Sequence, residues 1–389
     1  MFRRFIFPII LLAAGSLLTS CYTHNFPLPG QRFVHVEAPV PSARVYSDAN
    51  GTFFPELWLP RLGVFRNWPA DSLLNEAIRF PDFDPRLRSE QARQMAELRQ
   101  FLAGKRRIFV FIHGFNNNQR DTETPFAMMA HRIAFQDGDA VLMFHWDGYD
   151  DRVPGSPALF WWMAVANSQM AGTRGLRPIL EAAGDDAEVF LISHSRGASV
   201  ILSAISDPPY SERFIRDTMR LPFAETERLL NPPTLSAGRR NIHAILLAPA
   251  IGRVDFLAPD CPVAFDRRSA VSCDRIRQFP RLASIRYTLN ACDEVLEKII
   301  GLSNVANPTN LGLIPRVGED IAAELQPQPI VMQPYRIIAP HDHDFSLYTA
   351  DPEFSAMMRA VGVESRLWPT PPQPESCRRS RQEAELVSG

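Results

Sequence analysis

Charge of one sign is scarce in this 389-residue sequence: 41 Lys and Arg stand against 43 Asp and Glu, for a formal net charge of −2. No run of basic residues is long enough to track a phosphate backbone, so nucleic acid is not an expected partner. Cysteine is scarce too. Five are present, with no CxxC and no Cys/His spacing of the zinc type, which argues against a structural metal site. Long apolar runs are also missing: the N-terminal stretch Phe5–Leu18 falls short of the roughly 20 residues that a membrane-spanning helix needs. No internal repeat occurs. Proline, by contrast, is plentiful. Its 34 residues exceed a usual share of about 5% and gather at 22–60, 207–233, 308–340 and 366–375, where they mark loops and borders. The 46% of hydrophobic residues suffices for a sizeable core and excludes wholesale disorder.

The N-terminus reads as a targeting segment. Arg3 and Arg4 precede the apolar stretch, and small residues lead on to Cys21, the layout of a secretory signal with a short apolar region. Leu18-Thr19-Ser20-Cys21 resembles the lipobox of bacterial lipoproteins, which implies cleavage before Cys21 and its acylation. An ordinary signal peptide with a chance cysteine is the plainer alternative. Acyl chains, at about 0.8 kcal/mol per buried methylene, would hold the protein at a bilayer. The expected address is the bacterial cell envelope, lipid-anchored and facing the periplasm. In that oxidising compartment Cys261 and Cys273 could close a small bridge or stay free thiols; Cys292 and Cys377 are the other two.

Residues 1–20 are thus expected to be a signal peptide, 21–60 an extended spacer, 61–365 one domain and 366–389 a disordered tail. Within the spacer, short strands are expected at 32–37 and 44–46. Hydrophobic periodicity predicts a helix over 89–102, with Ser89 as its cap, and others over 125–135, 168–183, 197–206 and 352–361. Short apolar runs predict strands at 108–112, 140–144, 188–193, 241–248, 284–289 and, last, 336–338. Strands alternating with helices imply an α/β fold with a mostly parallel sheet buried on both faces. The amphipathic, proline-bounded stretch 207–240 interrupts the alternation, as a candidate cap over a site or as decoration.

Chemistry concentrates at Phe190-Leu191-Ile192-Ser193-His194-Ser195-Arg196-Gly197-Ala198-Ser199. A buried strand runs into a small-x-Ser-x-Gly turn and then a small-residue helix, the context of a nucleophile elbow. The turn is tight enough that the residues two before and two after the serine must be small. Gly197 meets this, and Ser193 meets it at the cost of a hydroxyl. Ser195 is therefore the candidate nucleophile, and His194 reads as filler. Upstream, Ile108-Phe109-Val110-Phe111-Ile112-His113-Gly114-Phe115 is a strand ending in His-Gly, where an oxyanion loop belongs. The backbone N–H groups of Phe115 and Arg196 are the candidate oxyanion donors, with His113 in a supporting role. Trp161 and Trp162, beside Phe160 and Met163, read first as aromatic core, and otherwise as the lining of an acyl pocket or a membrane-facing lid. The Arg196 side chain would attract anionic substrates or lie on the surface.

His113-Gly114-Phe115-Asn116-Asn117-Asn118, Phe144-His145-Trp146 and His194-Ser195-Arg196-Gly197 together resemble a bacterial α/β-hydrolase family of unassigned function with an HGFNN strand end, over about residues 105–360. The resemblance implies an α/β-hydrolase fold, in which helices flank the sheet. It implies an acid in the stretch Leu289-Asn290-Ala291-Cys292-Asp293-Glu294-Val295-Leu296, hence Asp293, and a base near an aromatic residue in His341-Asp342-His343-Asp344-Phe345. Alignment on Phe345 favours His343 over His341. The family often carries another Asp after the preceding strand, where this chain has Ala248-Pro249-Ala250, so Asp255 is only the alternative acid. The His-Asp-His-Asp cluster has a rival reading as a metal site, but no other cluster supplies further ligands.

The order Ser195, Asp293, His343 is the order this fold uses. The expected function is a serine hydrolase of esterase or lipase type, acting on a small-molecule or lipid acyl substrate without metal or cofactor. Two other readings stay open. One is a non-catalytic envelope lipoprotein that binds a partner; the other is an acyltransferase or peptidase using the same three residues.

Overall fold

The computed structural model describes residues 22–23, 35–54, 84–117, 119–148, 150–151, 164, 167–206, 235–257, 276–299, 311–337 and 343–366. Cys21, Cys261, Cys273, Cys377, Trp161, Trp162, His341 and most of the candidate cap lie outside these residues, as does the tail beyond Arg366. Among the described residues no helix is long and apolar enough to cross a membrane.

Eight strands form one sheet: β1 (Ser42–Ser47), β2 (Phe53–Phe54), β3 (Arg107–Ile112), β4 (Asp139–Trp146), β5 (Glu188–His194), β6 (Ile242–Leu247), β7 (Leu282–Leu289) and β8 (Val331–Arg336). Their spatial order is β8-β7-β6-β5-β3-β4-β1-β2. Seven run parallel, and only β2 is antiparallel, to β1. Parallel neighbours need crossovers, and helices lie in them: α1 (Asp84–Leu102), α2 (Gln119–Arg132), α3 (Arg177–Ala183), α4 (Gly197–Ile205) and α5 (Pro315–Leu325), while α6 (Phe345–Ala350) and α7 (Pro352–Arg359) follow the last strand.

The two-residue period of a strand divides the core between the faces. Ile108, Val110 and Ile112 of β3 join one apolar cluster with Leu98 and Leu102 of α1, Ile179 and Leu180 of α3 and most of α4. Phe109 and Phe111 join the other, with Phe126 and Met129 of α2, Phe345 and Tyr348 of α6 and Phe354 and Met357 of α7. The result is three layers, helix, sheet, helix.

Four expectations shift. Residues 42–54 supply β1 and β2 instead of spacer, because Val45 and Tyr46 are buried and β1 pairs in parallel with β4. Ser89 lies inside α1, five residues past its start. The helix expected from Pro125 begins at Gln119 and carries Pro125 inside it. Finally, the last strand is Val331–Arg336 and ends where the expected one begins. The 168–183 helix is present, but with a π-helical turn at Ala171–Leu176 that runs into α3. Gly172 explains the close approach there, since a Cβ would fall 2.3 Å from the Val200 carbonyl oxygen on α4.

Candidate functional site

The site gathers at the C-terminal ends of β3, β5, β7 and β8, where open α/β sheets bind their ligands. After β5 the chain turns sharply. Ser195 adopts φ +52°, a left-handed conformation costing a non-glycine residue about 1 kcal/mol or more. Neighbours pin it there: its N–H donates to the Leu247 carbonyl at 2.9 Å, and its own carbonyl accepts from Ala198 and Ala250, each at 3.2 Å. The small residues have a direct reason. A Cβ on Gly197 would sit 2.5 Å from the His113 carbonyl oxygen, and one on Gly114 would sit 2.8 Å from Ser195 Cβ. Ser193 is fully buried.

The loop after β3 wraps the elbow. Asn116 takes φ +58° and donates its N–H to the Gly148 carbonyl at 2.8 Å. Phe115 lines the cavity beside Ser195, and Arg196 stands at the N-terminus of α4. His113 is buried in full bonding: Nδ1 faces the Gly114 carbonyl at 2.8 Å, and Nε2 accepts the Trp146 N–H at 3.1 Å. The indole of Trp146 donates to the His113 carbonyl at 2.8 Å and stacks on the imidazole. Burial, and then the neighbouring His145, hold His113 down at about 3, so it is a neutral brace.

Asp293 follows β7 and is fully buried. Its Oδ1 accepts the N–H groups of Val295 at 3.0 Å and Leu296 at 2.9 Å. Its Oδ2 lies 2.5 Å from His343 Nδ1 and accepts the Tyr348 hydroxyl at 2.5 Å. Burial pushes the carboxyl up, but the bonds from His343 and Tyr348 outweigh it, and Asp293 ends below its ordinary 3.8. Nδ1 is committed to the carboxylate, and His343 Nε2 is buried and without a hydrogen-bond partner. Ser195 and His343 line one cavity of about 740 Å³, together with Pro125, Met128, Phe345 and Val295 on apolar walls and Arg120, Asp121 and Asp344 among its polar groups.

The structure therefore brings Asp293 to His343, and His343 to the cavity of Ser195. Asp255 goes elsewhere: its carboxylate meets the Arg196 guanidinium at 3.3 Å and the Gly252 N–H at 2.9 Å. That pairing also corrects the two readings of the Arg196 side chain. It neither lies on the surface nor meets the cavity; it is fully buried, bonding Asp255, the Ala250 carbonyl and Ser168. Cys292, next to Asp293, is disulfide-bonded. Among the described residues no group of three or more His, Cys, Asp or Glu has a metal-holding arrangement.

Sequence reasoning missed Tyr348 and a buried cluster behind the loop. There Glu123 of α2 receives Arg44 of β1 through two bonds of 2.8 Å and the Val36 N–H at 3.1 Å, with His145 Nε2 3.2 Å away. The signal for Tyr348 was one aromatic among several near His343. For Glu123 there was none, since its partner arrives from a distant strand.

A family model for an alpha/beta hydrolase of unknown function (DUF900) matches residues 89–269. Comparison with curated proteins finds no match. Among solved structures the chain is similar to the Bacillus cereus carboxylesterase, at 11% identity over 61% of this chain and 81% of that one, with a TM-score of 0.27. It is similar to Thermogutta terrifontis esterase 2 phosphorylated by paraoxon, at 13% identity over 67% and 82%, with a TM-score of 0.31. A third is esterase B from Lactobacillus rhamnosis with a tributyrin phosphonate, at 12% identity over 73% and 79%, with a TM-score of 0.33. Resemblance at this level carries no argument about chemistry. The parallel sheet, its flanking helices and the family match give the conclusion: this chain has the α/β-hydrolase fold.

Proposed function

We propose that the protein is a serine hydrolase of acyl esters, with Ser195 as nucleophile, His343 as base and Asp293 as the acid that orients it. One observation carries the reading. His343 bonds Asp293 through Nδ1 at 2.5 Å, has a buried Nε2 without a hydrogen-bond partner, and lines one cavity with the left-handed Ser195.

In the proposed reaction Ser195 Oγ attacks the ester carbonyl carbon while its proton passes to His343 Nε2. Asp293 stabilises the imidazolium that forms. The carbonyl oxygen, now an oxyanion, is held by the backbone N–H groups of Phe115 and Arg196, each worth about 2.7–4 kcal/mol. The bond to the alcohol breaks as Nε2 gives its proton to the leaving oxygen, and an acyl-enzyme remains. Water then attacks the acyl carbon, its proton passing through Nε2 to Ser195 Oγ as the acid departs. The apolar walls at Met128, Pro125, Phe345 and Val295 suit an acyl chain.

The test is turnover of p-nitrophenyl acyl esters by the purified protein. Ser195→Ala and His343→Ala should each lower kcat by about three to six orders of magnitude with little change in KM. Equal rates in wild type and Ser195→Ala would remove the serine mechanism.

A further inference from the structure

We propose that Tyr348 is a positioning residue for the Asp293–His343 pair: its hydroxyl shares the one carboxylate oxygen that His343 uses and sets how much of that oxygen's charge the imidazole receives. The inference rests on the serine-hydrolase reading above and adds a fourth side chain to it.

Donors and acceptors can be assigned without ambiguity. Asn290 Oδ1 accepts the Cys292 N–H at 3.0 Å, which fixes the amide and leaves its NH₂ to face Tyr348. That NH₂ donates to the phenolic oxygen at 3.0 Å. An amide nitrogen cannot accept, so the tyrosine proton points the other way, to Asp293 Oδ2. Oδ2 thus takes two bonds of 2.5 Å, one from Tyr348 and one from His343 Nδ1. Oδ1 is occupied by two backbone N–H groups, so the carboxylate cannot swivel to separate the two donors. Tyr348 and Asn290 are both fully buried, and water does not compete for these bonds. Burial and the Asp293 charge push the phenol well above its ordinary 10, so it stays a proton donor throughout the working range.

Other ionisable groups face the pair and do not replace this contact. From β5 comes His194, whose ring lies 4.6 Å from that of His343; burial and then His343 hold it well below its ordinary 6.5. Behind it is the neutral His113. Asp344 caps α6 through the Ser346 N–H at 2.7 Å. Asp351, ahead of α7, acts on the phenol from beyond α6. Glu294 and Glu297 follow Asp293 in the chain.

A phenol that takes part of the Oδ2 charge leaves less for the imidazolium. Tyr348→Phe should return that charge, favour the protonated form of the coupled site and move the acid limb of kcat/KM to higher pH by about half a unit to one unit. With one tether lost, the plateau of kcat should fall about 3- to 10-fold while KM holds. Site-specific Tyr348→3-fluorotyrosine keeps the fold and makes the phenol a stronger donor, so its limb should move the other way. Opposite shifts in the two variants support the proposal. A lower plateau with both limbs unmoved would mean that Tyr348 only packs, and would overturn it while ester turnover by the wild type still upheld the serine mechanism. A wild type with no Ser195-dependent turnover would overturn both.

Discussion

Gly114 has no side chain where Ser195 needs the space. A Cβ there would lie 2.8 Å from Ser195 Cβ and 3.2 Å from His194 Nδ1, so Gly114→Ala must push the elbow away from the β3 loop. Overpacking of this kind costs about 1–3 kcal/mol, and under the proposed mechanism a displaced Ser195 should cost ester turnover at least about tenfold. Urea unfolding and p-nitrophenyl ester kinetics on one preparation check both parts. Unchanged turnover would show that the loop does not set the position of Ser195. At this scale the sequence was partly legible. The need for Gly197 followed from the elbow pattern, whereas the contact of Gly114 with Ser195 depends on two strands lying side by side. Asp255 against Asp293 turned on the same kind of information: where Arg196 points decides what Asp255 does.

Among the elements, α2, β1 and β4 are joined by the Glu123 cluster, which lies just behind the loop that bears Phe115. Glu123 has no exposed side-chain surface and Arg44 little, so the pair is a buried one. Burial raises the Glu123 carboxyl, but bonds from Arg44 and His145 overcome this and bring it to about 2, from an ordinary 4.5. A carboxylate with a depressed folded value stabilises the protein above its unfolded value and loses that contribution as pH falls through the folded one. The window here runs from about 4.5 down to about 2. Arg44→Met leaves a buried carboxylate without its main partner and should cost about 3–5 kcal/mol at neutral pH. The gap to wild type should narrow as pH falls, because Glu123 in the variant protonates readily. Urea titrations at neutral pH and near pH 3.5 measure it; a gap that is constant across pH would mean that the charge on Glu123 is not involved. Buried neutral His113 adds a separate loss common to both proteins: its folded value of about 3 lies below the ordinary 6.5, so the unfolded chain takes up the proton first and stability falls from about 6.5 downward.

Elements with a buried face were the legible ones. β3, β4, β5, β6 and β7 are short, buried along almost their whole length and built around apolar runs, and each was expected within two residues of its ends at most. β8 was misplaced because it is an edge strand, with Val331 54% exposed and Pro334 within it, and shows no apolar run. The six-residue α6 is too short for helical periodicity to appear, yet it carries Tyr348. α5 begins with proline and buries only Gly318, Ile321 and Leu325, which in sequence looks like loop.

Across the whole molecule, the sheet is a device for convergence. Ser195, the loop bearing Phe115, Asp293 and His343 are spread along the chain, but each follows a parallel strand, and parallel strands end on one side. The order of the three candidate residues could be read from the sequence; that Asp293 bonds His343 and that His343 shares a cavity with Ser195 could not, because both depend on which strands are neighbours. The central claim is the proposed one, that His343 held by Asp293 activates Ser195. A fluorophosphonate probe tests it without knowledge of the substrate, since the phosphorus accepts an activated serine and its oxygen falls where the oxyanion would lie. Mass spectrometry of the labelled, folded protein should find one adduct, on Ser195, absent from Ser195→Ala and from urea-unfolded protein and strongly slowed in His343→Ala. Folded protein that stays unlabelled, or that carries its adduct on another residue, would contradict the account.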